Sequence, residues 1–182
     1  MRRLVLLLLA ACSSTEAGAR LAGQPVAPSS MPGFPGIVGV GPQVLLAGQP
    51  TPEGLANARD QGVTLVINVR PNSEMTFDER AVVMGLGMEY VSIPFTLQTL
   101  KDAQVATFID AIRALQAREG EEDRVLVHCR TGDRVAALWA MYEIEDGQVA
   151  PEEAVARARR AGLTSPELVQ FIGEWARRSG AW

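Results

Sequence analysis

The chain has 182 residues, enough for one domain with a sizeable core, and 47% hydrophobic against 21% charged residues excludes a largely disordered protein. With a net charge of −4, nothing is basic enough to suggest nucleic acid as the main partner. One His and two Cys leave too few ligands for a protein-only metal site, and no motif asks for a cofactor.

The first residues read as an export signal. Arg2 and Arg3 give a positive start, positions 4–9 a short apolar run, and Ala10 and Ala11 small residues before Cys12. The run is far shorter than the roughly 20 residues a membrane-spanning helix needs. The segment LAAC at 9–12 resembles the lipobox of bacterial lipoproteins. That resemblance implies removal of residues 1–11, a lipid on Cys12 and a place on a bacterial envelope membrane, facing the periplasm. Residues 12–33 then read as a lipidated, flexible tether, because ten of the twenty residues from Gly23 to Pro42 are Gly or Pro. The folded domain is expected over residues 34–182. With Cys12 lipidated, Cys129 is the one thiol left, which excludes an intramolecular disulfide.

Val44, Leu45 and Leu46 predict a short strand. Thr51, Pro52 and Glu53 supply an N-cap, a first-turn proline and an early carboxylate for a helix that ends near Gly62. Positions 63–69 are apolar and β-branched with one polar break at Asn68, the pattern of a buried strand. Loop residues follow at 70–73, then a helix over 78–84 and a strand over 88–93. Val105, Phe108, Ile109, Ile112 and Leu115 share one helical face. A strand is expected at 124–128, then a helix over 134–144 that is apolar almost all round and so central. Two more helices follow, one over 151–160 and one from Ser165-Pro166-Glu167 with Leu168, Phe171, Ile172 and Trp175 on one face. Strands alternating with helices predict an α/β fold, a mostly parallel central sheet flanked by helices.

The stretch LVHCRTGDRVAALWAMY at 126–142 puts Cys129 where a buried strand ends and Arg134 where a helix begins. The intervening turn, Arg130, Thr131, Gly132 and Asp133, can aim backbone N–H groups and the helix dipole at an anion. Gly132 permits a tight turn, and the Arg134 fork suits two oxygens of a tetrahedral anion. A nucleophile and an oxyanion cradle in one loop fit covalent attack on phosphorus or sulfur. A lone cysteine after a strand also fits a small buried hydrophobe.

This loop resembles the signature of cysteine-dependent phosphatases. With LAGQPTPEGLANARDQGVTLVINVRPNSE, GMEYVSIPF and PEEAVARARRAGL, the chain is similar to the bacterial dual-specificity-phosphatase-like group that includes the phosphatase-like domain of beta-lactamase-hydrolase-like proteins. The resemblance implies a cysteine-phosphatase-like fold, a phosphocysteine on Cys129, phosphate held by Arg130, Thr131, Gly132, Asp133 and Arg134, and a His128 that orients the loop. The substrate is then a phosphorylated molecule of unspecified class.

Two features depart from the pattern. Four residues separate Cys129 from Arg134 where the usual phosphatase signature has five, and Val135 replaces the usual Ser or Thr. The loop after the IPF strand has a carboxylate only at its end, Asp102, so Asp102 and Glu74 are the candidate general acids; Arg70 is placed to pair with Glu74. The alternatives are a rhodanese-like sulfurtransferase, whose loops also have the short Cys-Arg-x-Gly-x-Arg spacing, and a non-catalytic lipoprotein that binds an anion or a protein.

Overall fold

The computed structural model describes residues 21–118 and 123–180. The expected export signal, Cys12 and the tether up to residue 20 lie outside the described residues. Strands β1 (Val26–Ser29), β2 (Ile37–Val40), β3 (Val44–Ala47), β4 (Val63–Asn68), β5 (Glu89–Ser92) and β6 (Arg124–His128) form one sheet in the order β1-β2-β3-β6-β4-β5. β1, β2 and β3 pair antiparallel; β3, β6, β4 and β5 pair parallel. The helices are α1 (Pro52–Asp60), α2 (Glu79–Gly85), α3 (Asp102–Gln116), α4 (Asp133–Glu145), α5 (Pro151–Arg160) and α6 (Pro166–Ser179), with a 3-10 turn at Asn72–Glu74.

Alternation along the strands divides the core into two faces. Val44, Leu46, Leu65, Ile67, Val125 and Val127 face α3, α4, α5 and α6. Leu45, Ala47, Val66 and Leu126 face α1 and α2. Every residue of α4 from Arg134 to Ile144 is buried, as its all-round apolar sequence predicts. The helix starts also follow the sequence. Thr51 accepts from the Gly54 N–H at 3.1 Å and Ser165 from the Leu168 N–H at 3.2 Å, each followed by proline at the first helical position.

The segment from 21 to 33, expected as tether, belongs to the fold. Leu21 and Met31 are only 2% and 4% exposed, and β1 closes the sheet against β2. Pro28 is tolerated because β1 is an edge strand, where a missing N–H costs little. A buried ion pair fastens this arm. Glu143 takes Arg157 at 3.0 Å and the Gly23 N–H at 3.4 Å, while Arg157 donates to the Gln24 carbonyl.

Candidate active site

The parallel strands β3, β4, β5 and β6 end on one edge of the sheet, where α/β folds gather ligand-binding residues. Ala47 and Asn68 both lie in register with His128, so the residues just beyond these strands are neighbours. They include Gln49 after β3, Arg70 after β4, Phe95 after β5 and Cys129 after β6.

Cys129 is fully buried, and its N–H donates to the Ala47 carbonyl at 3.2 Å, prolonging the β3–β6 pairing by one residue. The chain then turns. Gly132 has φ +99°, a left-handed value, and caps the start of α4. This aims the Gly132 N–H at Cys129 Sγ, 3.1 Å away. A backbone dipole at a helix N-terminus thus faces the sulfur, an arrangement that accommodates negative charge. Gly48 lets β3 come close to this loop. A Cβ there would lie 2.6 Å from the Pro35 carbonyl oxygen and 3.2 Å from that of Arg130. The neighbouring Gln49 N–H donates to the Arg130 carbonyl at 3.1 Å.

Arg134, in the first turn of α4, is 9% exposed. Its Nη1 donates to Glu74 Oε1 at 3.1 Å and to the Phe95 carbonyl at 2.8 Å, and its Nη2 donates to Glu74 Oε2 at 2.6 Å. Arg70 approaches Glu74 from the other side, with Nε 3.6 Å from Oε2. The Arg134 hydrogen bond, then its charge and those of Arg70 and Arg130, hold the Glu74 carboxyl below the usual carboxylate range against the opposing effect of burial. Glu74 is therefore kept anionic, which is the opposite of what its expected role as proton donor requires.

His128 is fully buried and its Nε2 lies 2.7 Å from Oε1 of the equally buried Glu79. In the neutral ring Nε2 carries the proton toward that carboxylate, and Nδ1 has no hydrogen-bond partner among the described residues. Burial is the strongest influence on Glu79 and raises its pKa. The His128 hydrogen bond and charge, with Gln49 and Arg70, outweigh it and leave the carboxyl below its usual range. Gln49 Nε2 donates to Glu79 Oε2 at 2.8 Å, and Gln49 Oε1 accepts from Arg70 Nη1. Asn68, the polar break in β4, donates to Tyr90 Oη at 2.9 Å and accepts from the Arg70 N–H at 2.8 Å.

Two expected site residues point elsewhere. The Asp133 carboxylate accepts from the Thr164 and Ser165 N–H groups at 2.9 and 3.3 Å, because those amides lead into α6 and need an acceptor. Its side chain is no phosphate ligand, and only its main chain can serve the cradle. Asp102 is exposed and pairs with Arg178 at 2.7 Å across α3 and α6, so its carboxyl has a structural partner of its own instead of a place as proton donor. Arg130 and Thr131 are exposed on the loop.

The sequence reading missed Gln49 and Glu79. Gln49 carried a usable signal, a polar residue just past a buried parallel strand. Glu79 carried none, since a carboxylate in a helix's first turn is expected for the helix alone.

The family model "Beta-lactamase hydrolase-like protein, phosphatase-like domain" matches residues 37–146. The beta-lactamase hydrolase-like protein of Xylella fastidiosa (strain Temecula1) is 29% identical over 75% of this chain, which spans only 31% of that protein's length. A candidate phosphatase from Shewanella putrefaciens CN-32 is 26% identical with a TM-score of 0.65, covering 80% of this chain and 92% of that one. TpbA of P. aeruginosa, at 19% identity and TM-score 0.67 over 87% of this chain and 95% of its own, shares the fold. A match over more than half the chain, on an α/β sheet of cysteine-phosphatase type, shows that the chain belongs to the phosphatase-like domain family of beta-lactamase hydrolase-like proteins.

Proposed function

We propose that the domain is a cysteine-dependent phosphatase that hydrolyses phosphate monoesters through a phosphocysteine on Cys129. The observation that carries this reading is the Gly132 N–H at 3.1 Å from Cys129 Sγ, at the head of a buried helix that also presents Arg134. A guanidinium has five N–H donors. Glu74 and Phe95 take three of those on Arg134, which leaves Nε–H and one Nη2–H on a single edge for two phosphate oxygens.

The thiolate attacks phosphorus; the S–P bond forms and the P–O bond to the leaving group breaks, with its electron pair on oxygen. That oxygen takes a proton from solvent. Water then attacks phosphorus, S–P breaks, and inorganic phosphate leaves as the water's proton passes to solvent and the thiolate returns. The amides of Gly132 and Asp133 and the Arg134 edge follow the charge on the phosphoryl oxygens through both steps. The substrate is a phosphorylated molecule.

The test is turnover under reducing conditions, an aryl phosphate in one assay and thiosulfate with cyanide in the other. Phosphate release is expected. Thiocyanate without phosphate release would instead make the loop a sulfurtransferase, and phosphate binding with no turnover in either assay would make the domain a non-catalytic anion binder.

A second proposal rests on the sequence alone: the LAAC segment attaches the domain through lipid on Cys12 to a bacterial envelope membrane, on its periplasmic side. Among the described residues no helix is long and apolar enough to cross a membrane. Because residues from 21 onward fold with the domain, the stretch from Cys12 to Leu21 reaches at most roughly 30 Å. The wild type should sediment with membranes and Cys12→Ala should not; a wild-type protein found soluble with an unmodified N-terminus would remove the anchor.

A further inference from the structure

His128 and Arg134 bracket the ends of the cysteine loop, and a continuous chain of polar contacts outside the loop joins them. It runs from His128 to Glu79, from Glu79 to Gln49, from Gln49 to Arg70, from Arg70 to Glu74 and from Glu74 to Arg134. The five groups flanking Gln49 alternate between basic and acidic side chains, and Gln49 is the one amide in the chain. Its amide donates to a carboxylate at one end and accepts from a guanidinium at the other. No aliphatic or ionised acidic side chain can do both.

We propose that Gln49 is a positioning residue for the phosphatase reaction: it joins the buried His128–Glu79 pair to the Arg70–Glu74–Arg134 chain, so that both ends of the cysteine loop are held by one brace. This rests on the phosphatase reading above. Arg70 is only 4% exposed, and its guanidinium has Gln49 on one side and Glu74 on the other. Without the Gln49 acceptor, Arg70 draws Glu74 toward itself, and Glu74 loosens its grip on Arg134. The loop has only four residues between Cys129 and Arg134, so few amides share the work and the aim of Arg134 weighs more.

Two variants of the full chain test this. Gln49→Met keeps length and removes both hydrogen bonds of the brace, together with the local donation from Gln49 Nε2 to the Pro50 carbonyl at 3.0 Å. It should lower kcat/KM for an aryl phosphate by about ten- to a hundredfold and weaken inorganic phosphate binding by a similar factor, the size expected for losing a charge-assisted hydrogen bond. Gln49→Glu adds a titrating readout. When protonated, the new carboxyl copies the amide, its O–H donating to Glu79 and its carbonyl accepting from Arg70. When ionised, it faces the Glu79 carboxylate of α2, with Arg70 after β4, His128 of β6 and Glu74 of the 3-10 turn as the other charged or titratable groups of the brace. Activity of Gln49→Glu relative to wild type should therefore recover as pH falls, with an added ionisation that Gln49→Met lacks. Wild-type kcat/KM and phosphate affinity in both variants would overturn the brace, as would losses of equal size in both variants at every pH. A wild type that binds phosphate but never turns over would defeat the phosphatase reading, and the phosphate affinities of the variants would still decide the brace. A wild type that neither binds nor turns over would overturn both.

Discussion

Glu74 faces two guanidiniums, and this decides which of two jobs its carboxyl can do. A general acid must hold a proton near neutral pH, whereas Arg134 and Arg70 keep Glu74 ionised. Asp102 is engaged with Arg178, and positions 96–101 hold no carboxylate. A positioned acid contributes about 10²–10⁴-fold, mostly to substrates with poor leaving groups. We predict that kcat/KM across substituted phenyl phosphates falls steeply as leaving-group pKa rises. Glu74→Gln should lower kcat/KM by roughly tenfold or more through a less firmly held Arg134, while keeping the slope unchanged, and Asp102→Asn should change neither. A shallow slope in wild type that steepens in either variant would identify that residue as the acid. Cys129 and Arg134 were legible in the sequence because a strand, a turn glycine and a helix start surround them. The pairing of Arg70 with Glu74 was also foreseen, from their places on one short loop. The direction of the Asp133 carboxylate was not, because its partners at 164 and 165 are some thirty residues away in sequence and become neighbours only when α5 folds back on α4.

Among the elements, those with caps and strong periodicity were readable. The strand expected at 124–128 and the helices expected over 134–144 and 151–160 match the structure to within a residue. β1 and β2 were not, because Pro28 interrupts the first and Gly39 the second, and the glycine- and proline-rich stretch around them suits a tether. What fixes them is tertiary: pairing with β3 and the burial of Leu21, Met31, Ile37 and Val40. A fragment beginning at Phe34 therefore lacks an edge strand and the two large buried side chains of Leu21 and Met31. Each such side chain contributes about 1.5–3 kcal/mol, so this fragment should melt on the order of 10 °C below one beginning just before Leu21. Equal melting temperatures would return residues 21–33 to the role of tether.

For the molecule as a whole, the sheet order explains why one short loop can hold the chemistry. Three of the strands that end beside Cys129 come from different parts of the chain, and their parallel pairing brings Gln49, Arg70 and Phe95 to the same edge. The two helices on one face supply Glu79, and on the other face the sheet and the three neighbouring helices bury α4 so that Arg134 starts from a fixed base. The sequence disclosed the parallel strands and the loop; it did not disclose the brace between them, whose contacts join parts of the chain far apart in sequence. The most direct test of the central claim is an acid quench of wild-type enzyme during turnover of an aryl phosphate, followed by mass spectrometry of the peptide that carries Cys129. A phosphoryl group on Cys129 in the wild type, and none on that peptide in Cys129→Ala, is the predicted result. Phosphate release that continues in Cys129→Ala at the wild-type rate, with no adduct in either protein, would contradict it.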